Sequence, residues 1–209
     1  MDAEREPGGP SQNRYILYSR LMSTIVDSLD STIAARIRGE RTARRWSLDD
    51  LAERSQVSKA MISKIERAEA SPTAALLGRL SAAFGLTLSA LVAETEAPHR
   101  GPVRAAAQPV WRDPATGYVR RQVSASPTIP VELIEVDLPP GASVSFPAAS
   151  YRKMQHVIWV LAGRLTFVEG DVTHDLAAGD SLEFGPPADC TYRNDSAAAC
   201  RYLVVLLRR

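Results

Sequence analysis

A change of rhythm near the middle of the chain constrains its fold more than any other feature. From about residue 30 to 94 apolar residues recur every three to four positions. After residue 109 they alternate in short runs such as VELIEVDL, HVIWVLA, RLTFVEG and RYLVVLL. The first period buries a stripe of a helix and the second buries one face of a strand, so one uniform architecture cannot serve both halves. Between them, ETEAPHRGPVRAAAQP mixes proline, glycine, alanine and charge without any period and reads as a linker. The expected division is a mobile tail at 1–28, an all-α domain at 29–94, a linker at 95–108 and an all-β domain at 109–209. A chain of 209 residues that is 45% hydrophobic can fill two such cores.

The helical half carries its own start and stop signals. Ser47 precedes LDDLAER with Asp50 three residues on, a capping-box pattern, and Ser58 precedes KAMISKIERA. Ser71-Pro72 reads as a cap followed by a first-turn proline, Gly85 as a stop, and Thr87 as the start of a last short helix. Five short helices are expected. Between LDDLAER and KAMISKIERA lie only Ser55-Gln56-Val57 and a serine cap, a connection tight enough to set the second helix at a steep angle with its N-terminal end projecting. That end carries Lys59, Ala60, Ser63 and Lys64, while Ile62 and Ile65 face the core. Long cations there can reach phosphates or the O6/N7 edge of guanine, and a small residue such as Ala60 permits close approach. Ser47 and Ser58 each cap a helix whose free N–H groups attract an anion, so both are candidates for phosphate contact. Arg36, Arg38, Arg44 and Arg45 are further cations for the field toward DNA. Arg41 continues the inward stripe of Ile33 and Ile37, and Glu66 follows Ile62 at i+4. Charges aimed inward need partners, so an Arg41–Glu66 salt bridge is expected.

These residues, from IRGERTARRW through Leu51-Ala52, Val57, Ile62, Glu66 and Pro72 to Leu91, resemble the phage-repressor-type helix-turn-helix of the xenobiotic-response-element family. The resemblance implies a dimer that binds double-stranded DNA with the second helix of the motif in the major groove. By position it assigns Lys59, Ala60, Ser63 and Lys64 to base edges, and Ser47, Ser58 and Arg67 to phosphates. Ala68 departs from the family, which usually has glycine after the third helix.

The β half, from PPGASVSF to RYLVVLL, resembles the cupin domain, which implies a double-stranded β-helix barrel. Gly141 and Gly163 match the first cupin motif, and Gly179-Asp180 with Asn194 match the second. The family's metal ligands mostly do not carry over. His156 stands at the usual glutamate, Cys190 at a usual histidine, and the histidine pair falls on Ser150 and Arg152 or on Ala149 and Tyr151. Alternation puts His156, Ile158 and Val160 on one face, which the resemblance assigns to the interior, where Tyr151, Gln155 and Cys190 complete a candidate effector pocket. Two strong ligands are fewer than the three or more that protein metal sites normally supply, so no metal or cofactor is expected. No nucleophile–base arrangement is visible either. The β domain therefore reads as a receptor for a small-molecule effector and not as a catalytic centre. The alternative is a metal-dependent cupin enzyme tethered or dimerised by its helical domain.

A net charge of +1 decides nothing about partners. No run approaches the roughly 18 to 20 apolar residues of a membrane span, and MDAEREPGGPSQNR lacks an export pattern, so a cytoplasmic protein with no membrane partner is expected. Cys190 and Cys200 are expected as reduced thiols. The whole reads as a homodimeric DNA-binding transcriptional regulator.

Overall fold

The computed structural model describes residues 30–92, 101–125, 129–152 and 154–208. The expected tail, and residues 95–100 of the expected linker, lie outside the described residues.

Five helices form the first half: α1 (residues 30–43), α2 (Leu48–Ser55), α3 (Lys59–Glu66), α4 (Ala74–Phe84) and α5 (Leu88–Val92). At the start of α2, the Asp50 N–H donates to Ser47 Oγ at 3.1 Å, and the Ser47 N–H donates to Asp50 Oδ2 at 2.7 Å, closing the box reciprocally. Ser58 Oγ accepts from the Met61 N–H at 3.3 Å to open α3. The cap of α4 is Thr73, two residues beyond the expected Ser71. Pro72 stays outside the helix, and the Ser71 hydroxyl is taken by Asp30. Ile33, Ile37, Leu51, Ile62, Ile65, Leu77, Leu80 and Leu91 are fully buried or nearly so, as the helical period requires.

Ten strands are described in the second half. They are β1 (Val110–Arg112), β2 (Val119–Ala125), β3 (Val131–Leu138), β4 (Ser143–Phe146), β5 (Met154–Ala162), β6 (Arg164–Glu169), β7 (Val172–Ala177), β8 (Ser181–Glu183), β9 (Cys190–Arg193) and β10 (Cys200–Arg208). The expected closed barrel does not form. The strands make two separate antiparallel sheets, β1-β2-β3-β10-β5-β8 and β4-β9-β6-β7, and no described ladder joins one to the other. Two of the crossings between the sheets run through irregular segments that cannot carry a ladder round the corner. From β4 it passes through Pro147 and the 3-10 turn Ala148–Tyr151, and from β8 it passes through Pro186-Pro187, which lack N–H donors. Alternation is strict where both faces matter: β3 buries Glu132, Ile134, Val136 and Leu138 and half-exposes the residues between.

Two motif residues have clear structural duties. Gly163 turns β5 into β6 at φ 80°, where a Cβ would lie 2.7 Å from the Ala199 carbonyl oxygen. Asn194 is wholly buried; its amide donates to the Leu138 and Ala198 carbonyls at 3.0 and 2.8 Å, pinning the β9–β10 connection.

The halves pack directly on each other. The first N–H of α4, at Ala74, donates to the buried carboxylate of Asp113 at 3.1 Å. One turn on, Gly78 faces Phe146 of β4 so closely that a Cβ would meet its ring at 2.5 Å. Ser150 Oγ donates to the Gly78 carbonyl at 3.3 Å. With α4 held on both sides, α2 and α3 are left facing away from the sheets.

Candidate functional site

Two surfaces carry chemistry. The first is the projecting end of α3. The turn from α2 passes Gln56 at φ 56° and buries Val57 beneath it, which fixes the approach of α3. Ser58, Lys59, Ala60, Lys64 and Arg67 are exposed and Ser63 is half-exposed, while Ile62 and Ile65 are buried. The cations are lightly held. Lys59 Nζ lies 2.8 Å from Asp49 Oδ2 and Arg67 Nε 2.7 Å from Glu69 Oε1, both pairs more than half exposed. Surface pairs of this kind are worth about 1 kcal/mol or less, so phosphates can replace the carboxylates at little cost. Ser47 Oγ and Ser58 Oγ are engaged as caps, with exposed residues at both positions. Arg36 and Arg44 are tied to Glu40, and Arg44 also donates to the Phe84 carbonyl at 3.0 Å, so these two are structural.

Beneath this surface Arg41 meets Glu66 edge-on, Nε to Oε1 at 2.7 Å and Nη2 to Oε2 at 2.8 Å, with Nη1 donating to the Trp46 carbonyl at 2.9 Å. The side chains are 15% and 7% exposed. The pair fastens α1 to the end of α3. Ala68, the residue that departs from the helix-turn-helix pattern, sits at φ 55°, a left-handed position that favours glycine.

The second surface is a cavity of about 60 Å³ where the open end of the two sheets meets α4 and α5. Its floor includes Tyr118 just before β2, Arg120 of β2, His156 of β5, Tyr192 of β9 and Tyr202 of β10. Its roof comes from α4, α5 and the turn between them: Gly78, Ser81, Leu86, Thr87 and Leu88. Of the four expected pocket residues, Tyr151 and His156 line the cavity. Gln155 does not: the same alternation that turns His156 inward turns its neighbour to solvent. Cys190 is buried outside the lining, with its thiol donating to the Ala188 carbonyl at 3.4 Å.

The His156 ring lies 4.9 Å from that of Tyr151 and 5.1 Å from that of Phe184. Burial, reinforced by the charge of Arg120, lowers its pKa to about 4, so the imidazole is neutral near pH 7. Burial likewise pushes the Cys190 thiol up to about 12. The Tyr151 hydroxyl has no hydrogen-bond partner although it lies beside Tyr192 and Cys190. This donor set does not fit a metal. One imidazole flanked by two rings, and a thiol held protonated outside the cavity, do not make a coordination shell; no group of three potential ligands exists among the described residues.

A family model for helix-turn-helix domains, HTH_3, matches residues 37–91, and one for the cupin domain, Cupin_2, matches residues 134–206. The chain is an HTH_3-type helix-turn-helix domain followed by a cupin domain. This cupin domain is the open two-sheet form described above. Over 171 residues the chain is 25% identical to the HTH-type transcriptional regulator SutR of Escherichia coli strain K12, covering 81% of this chain and 90% of that one. Among solved structures, an HTH_3 family transcriptional regulator from Vibrio cholerae superposes with a TM-score of 0.73 at 21% identity, covering 88% of this chain and 98% of that one. The cupin domain of an XRE family regulator from Enterobacter cloacae matches 44% of this chain and 97% of its own, at 16% identity and a TM-score of 0.41.

Sequence reasoning missed Arg120 and the tyrosines around it. Arg120 sits in YVRRQVS beside Arg121, and only the pairing of β2 with β3 decides which arginine turns inward. Gly78 of the roof, and Ser89 behind it, carry no signal of their own; they matter because the halves dock.

Proposed function

We propose that the chain is a DNA-binding transcriptional regulator whose cupin domain receives a small-molecule effector in the cavity between its halves. The functional units are residues 29–94 for DNA and 109–209 for the effector, joined by 95–108, in a cytoplasmic protein. Lys59, Ala60, Ser63 and Lys64 approach base edges, and Ser47, Ser58 and Arg67 approach phosphates. Two copies act together on half-sites about 34 to 36 Å apart. Exposed apolar residues on the outer face of the larger sheet, Trp159 at 48% and Leu207 at 38%, support pairing of two copies there. The regulator named above, alike over most of both chains, supports the transcriptional role.

The observation that carries the sensing role is the helical roof. A cavity of about 60 Å³ is far smaller than the roughly 300 to 1,000 Å³ of ordinary ligand pockets. An effector larger than a few atoms fits only if α4 and α5 move, so its binding energy acts directly on the helix-turn-helix domain. Among the described residues no helix is long and apolar enough to cross a membrane.

The test is a binding titration on duplex DNA at several salt concentrations. Lys64→Ala is expected to relax base preference, whereas Arg67→Ala weakens binding to all sequences and flattens the salt slope by about 1. Wild-type behaviour in both variants would remove α3 from the interface. His156→Ala is expected to keep DNA affinity and lose the effector response.

A further inference from the structure

Arg120 is 7% exposed and makes no ion pair with any carboxylate among the described residues. Its Nε is sealed from solvent and has no hydrogen-bond partner, and its Nη2 donates to the hydroxyl of Ser89 in α5, itself 1% exposed. A buried guanidinium with its Nε–H unpaired and only the neutral hydroxyls of Ser89 and Tyr118 as partners is an expensive arrangement, the kind retained where an anion is to be received.

We propose that the cavity takes a small carboxylate on the Nε–Nη2 edge of Arg120, and that this anion competes with Ser89 for the edge. This deepens the effector role proposed above and rests on it. The same chain shows what that edge does with a carboxylate: Arg41 grips Glu66 through Nε and Nη2 at 2.7 and 2.8 Å. On Arg120, Nη2 is already taken by Ser89 of α5, so an anion gains the whole edge only when Ser89 withdraws. Ligand binding and docking of the helix-turn-helix domain are therefore alternatives at one guanidinium. The surroundings favour a carboxylate with a short apolar body over a tetrahedral oxyanion. Leu88, Val204 and Leu206 supply apolar wall, and Arg120 is the one charged residue among the described lining, a balance that suits a monoanion better than a phosphate dianion.

Calorimetric titration of the full chain with propionate, propionamide and inorganic phosphate tests the assignment, using wild type, Arg120→Gln and Ser89→Ala. Propionate is expected to bind at least about tenfold more tightly than its neutral amide, and Arg120→Gln to abolish that preference. Ser89→Ala removes the competitor and is expected to tighten propionate about fivefold, a gain that misfolding cannot imitate. Arg120→Gln without ligand is expected to melt no lower than wild type, because the unpaired buried charge is gone. Equal binding of acid and amide, phosphate binding as tightly as propionate, unchanged propionate affinity in either variant, or no propionate binding at all overturns the proposal. Duplex affinity of the ligand-free wild type, measured in parallel, separates these outcomes from failure of the regulatory role, which that affinity tests alone.

Discussion

At the scale of single residues, His156 gives a pH signature. Its pKa in the folded chain is about 4 against an ordinary value of 6.5, so between these values the unfolded chain binds a proton that the folded chain does not. Stability is therefore full above pH 6.5 and falls as pH drops toward 4, by up to about 3 kcal/mol. Urea melts across this window should show the loss in wild type and a smaller one in His156→Phe; equal slopes would place the proton elsewhere. Ala68, at φ 55°, holds a conformation that costs a residue with a Cβ about 1 kcal/mol. Ala68→Gly is accordingly expected to raise stability by about that amount, and a destabilised variant would mean the turn is held for another reason. The position of Ala68 was legible as a departure from a family pattern. The inward turn of Arg120 was not, because two adjacent arginines in a strand are equivalent until a partner strand sets the faces.

At the scale of elements, the helices were the most legible part. The caps at Ser47, Ser58 and Thr87 are local, their oxygens accepting from backbone N–H groups three residues on, so sequence spacing determines them. The cap of α4 was misplaced by two residues because Ser71 and Thr73 are both competent, and a long-range contact from Ser71 to Asp30 settles the choice. Arg41 and Glu66 could be paired from the stripes of α1 and α3 alone, since a charge on an apolar stripe needs an opposite charge nearby. Arg41→Met is expected to cost about 3 kcal/mol, because it leaves the mostly buried Glu66 uncompensated, whereas Arg67→Ala on the same helix end should cost almost nothing in stability. Chemical denaturation of both variants checks the contrast; similar losses would contradict it. In β5 the period-two reading placed His156 inward, and the error was to carry Gln155 with it against that same alternation.

At the scale of the whole molecule, sequence showed two halves but not how they meet. Closure of the β domain was inferred from a resemblance; the two sheets instead remain separate, two of the crossings between them broken at Pro147 and Pro186-Pro187, and the helical half covers their open end. Gly78 marks that junction. Glycine inside a helix ordinarily costs up to about 1 kcal/mol relative to alanine, and here it makes room for the Phe146 ring. Gly78→Ala is expected to destabilise wild type by about 1 to 3 kcal/mol through overpacking, yet to stabilise a Phe146→Ala background. A thermodynamic cycle with the same sign in both backgrounds would dissociate α4 from β4. The central claim is that α3 enters duplex DNA, and it is tested most directly by fluorescence anisotropy of the intact chain on genomic duplex fragments across a series of salt concentrations. The expected result is an affinity whose logarithm falls linearly with the logarithm of salt and drops sharply in the Lys64→Ala/Arg67→Ala double variant. Binding that is absent from every duplex, or indifferent to both salt and the double substitution, would contradict it.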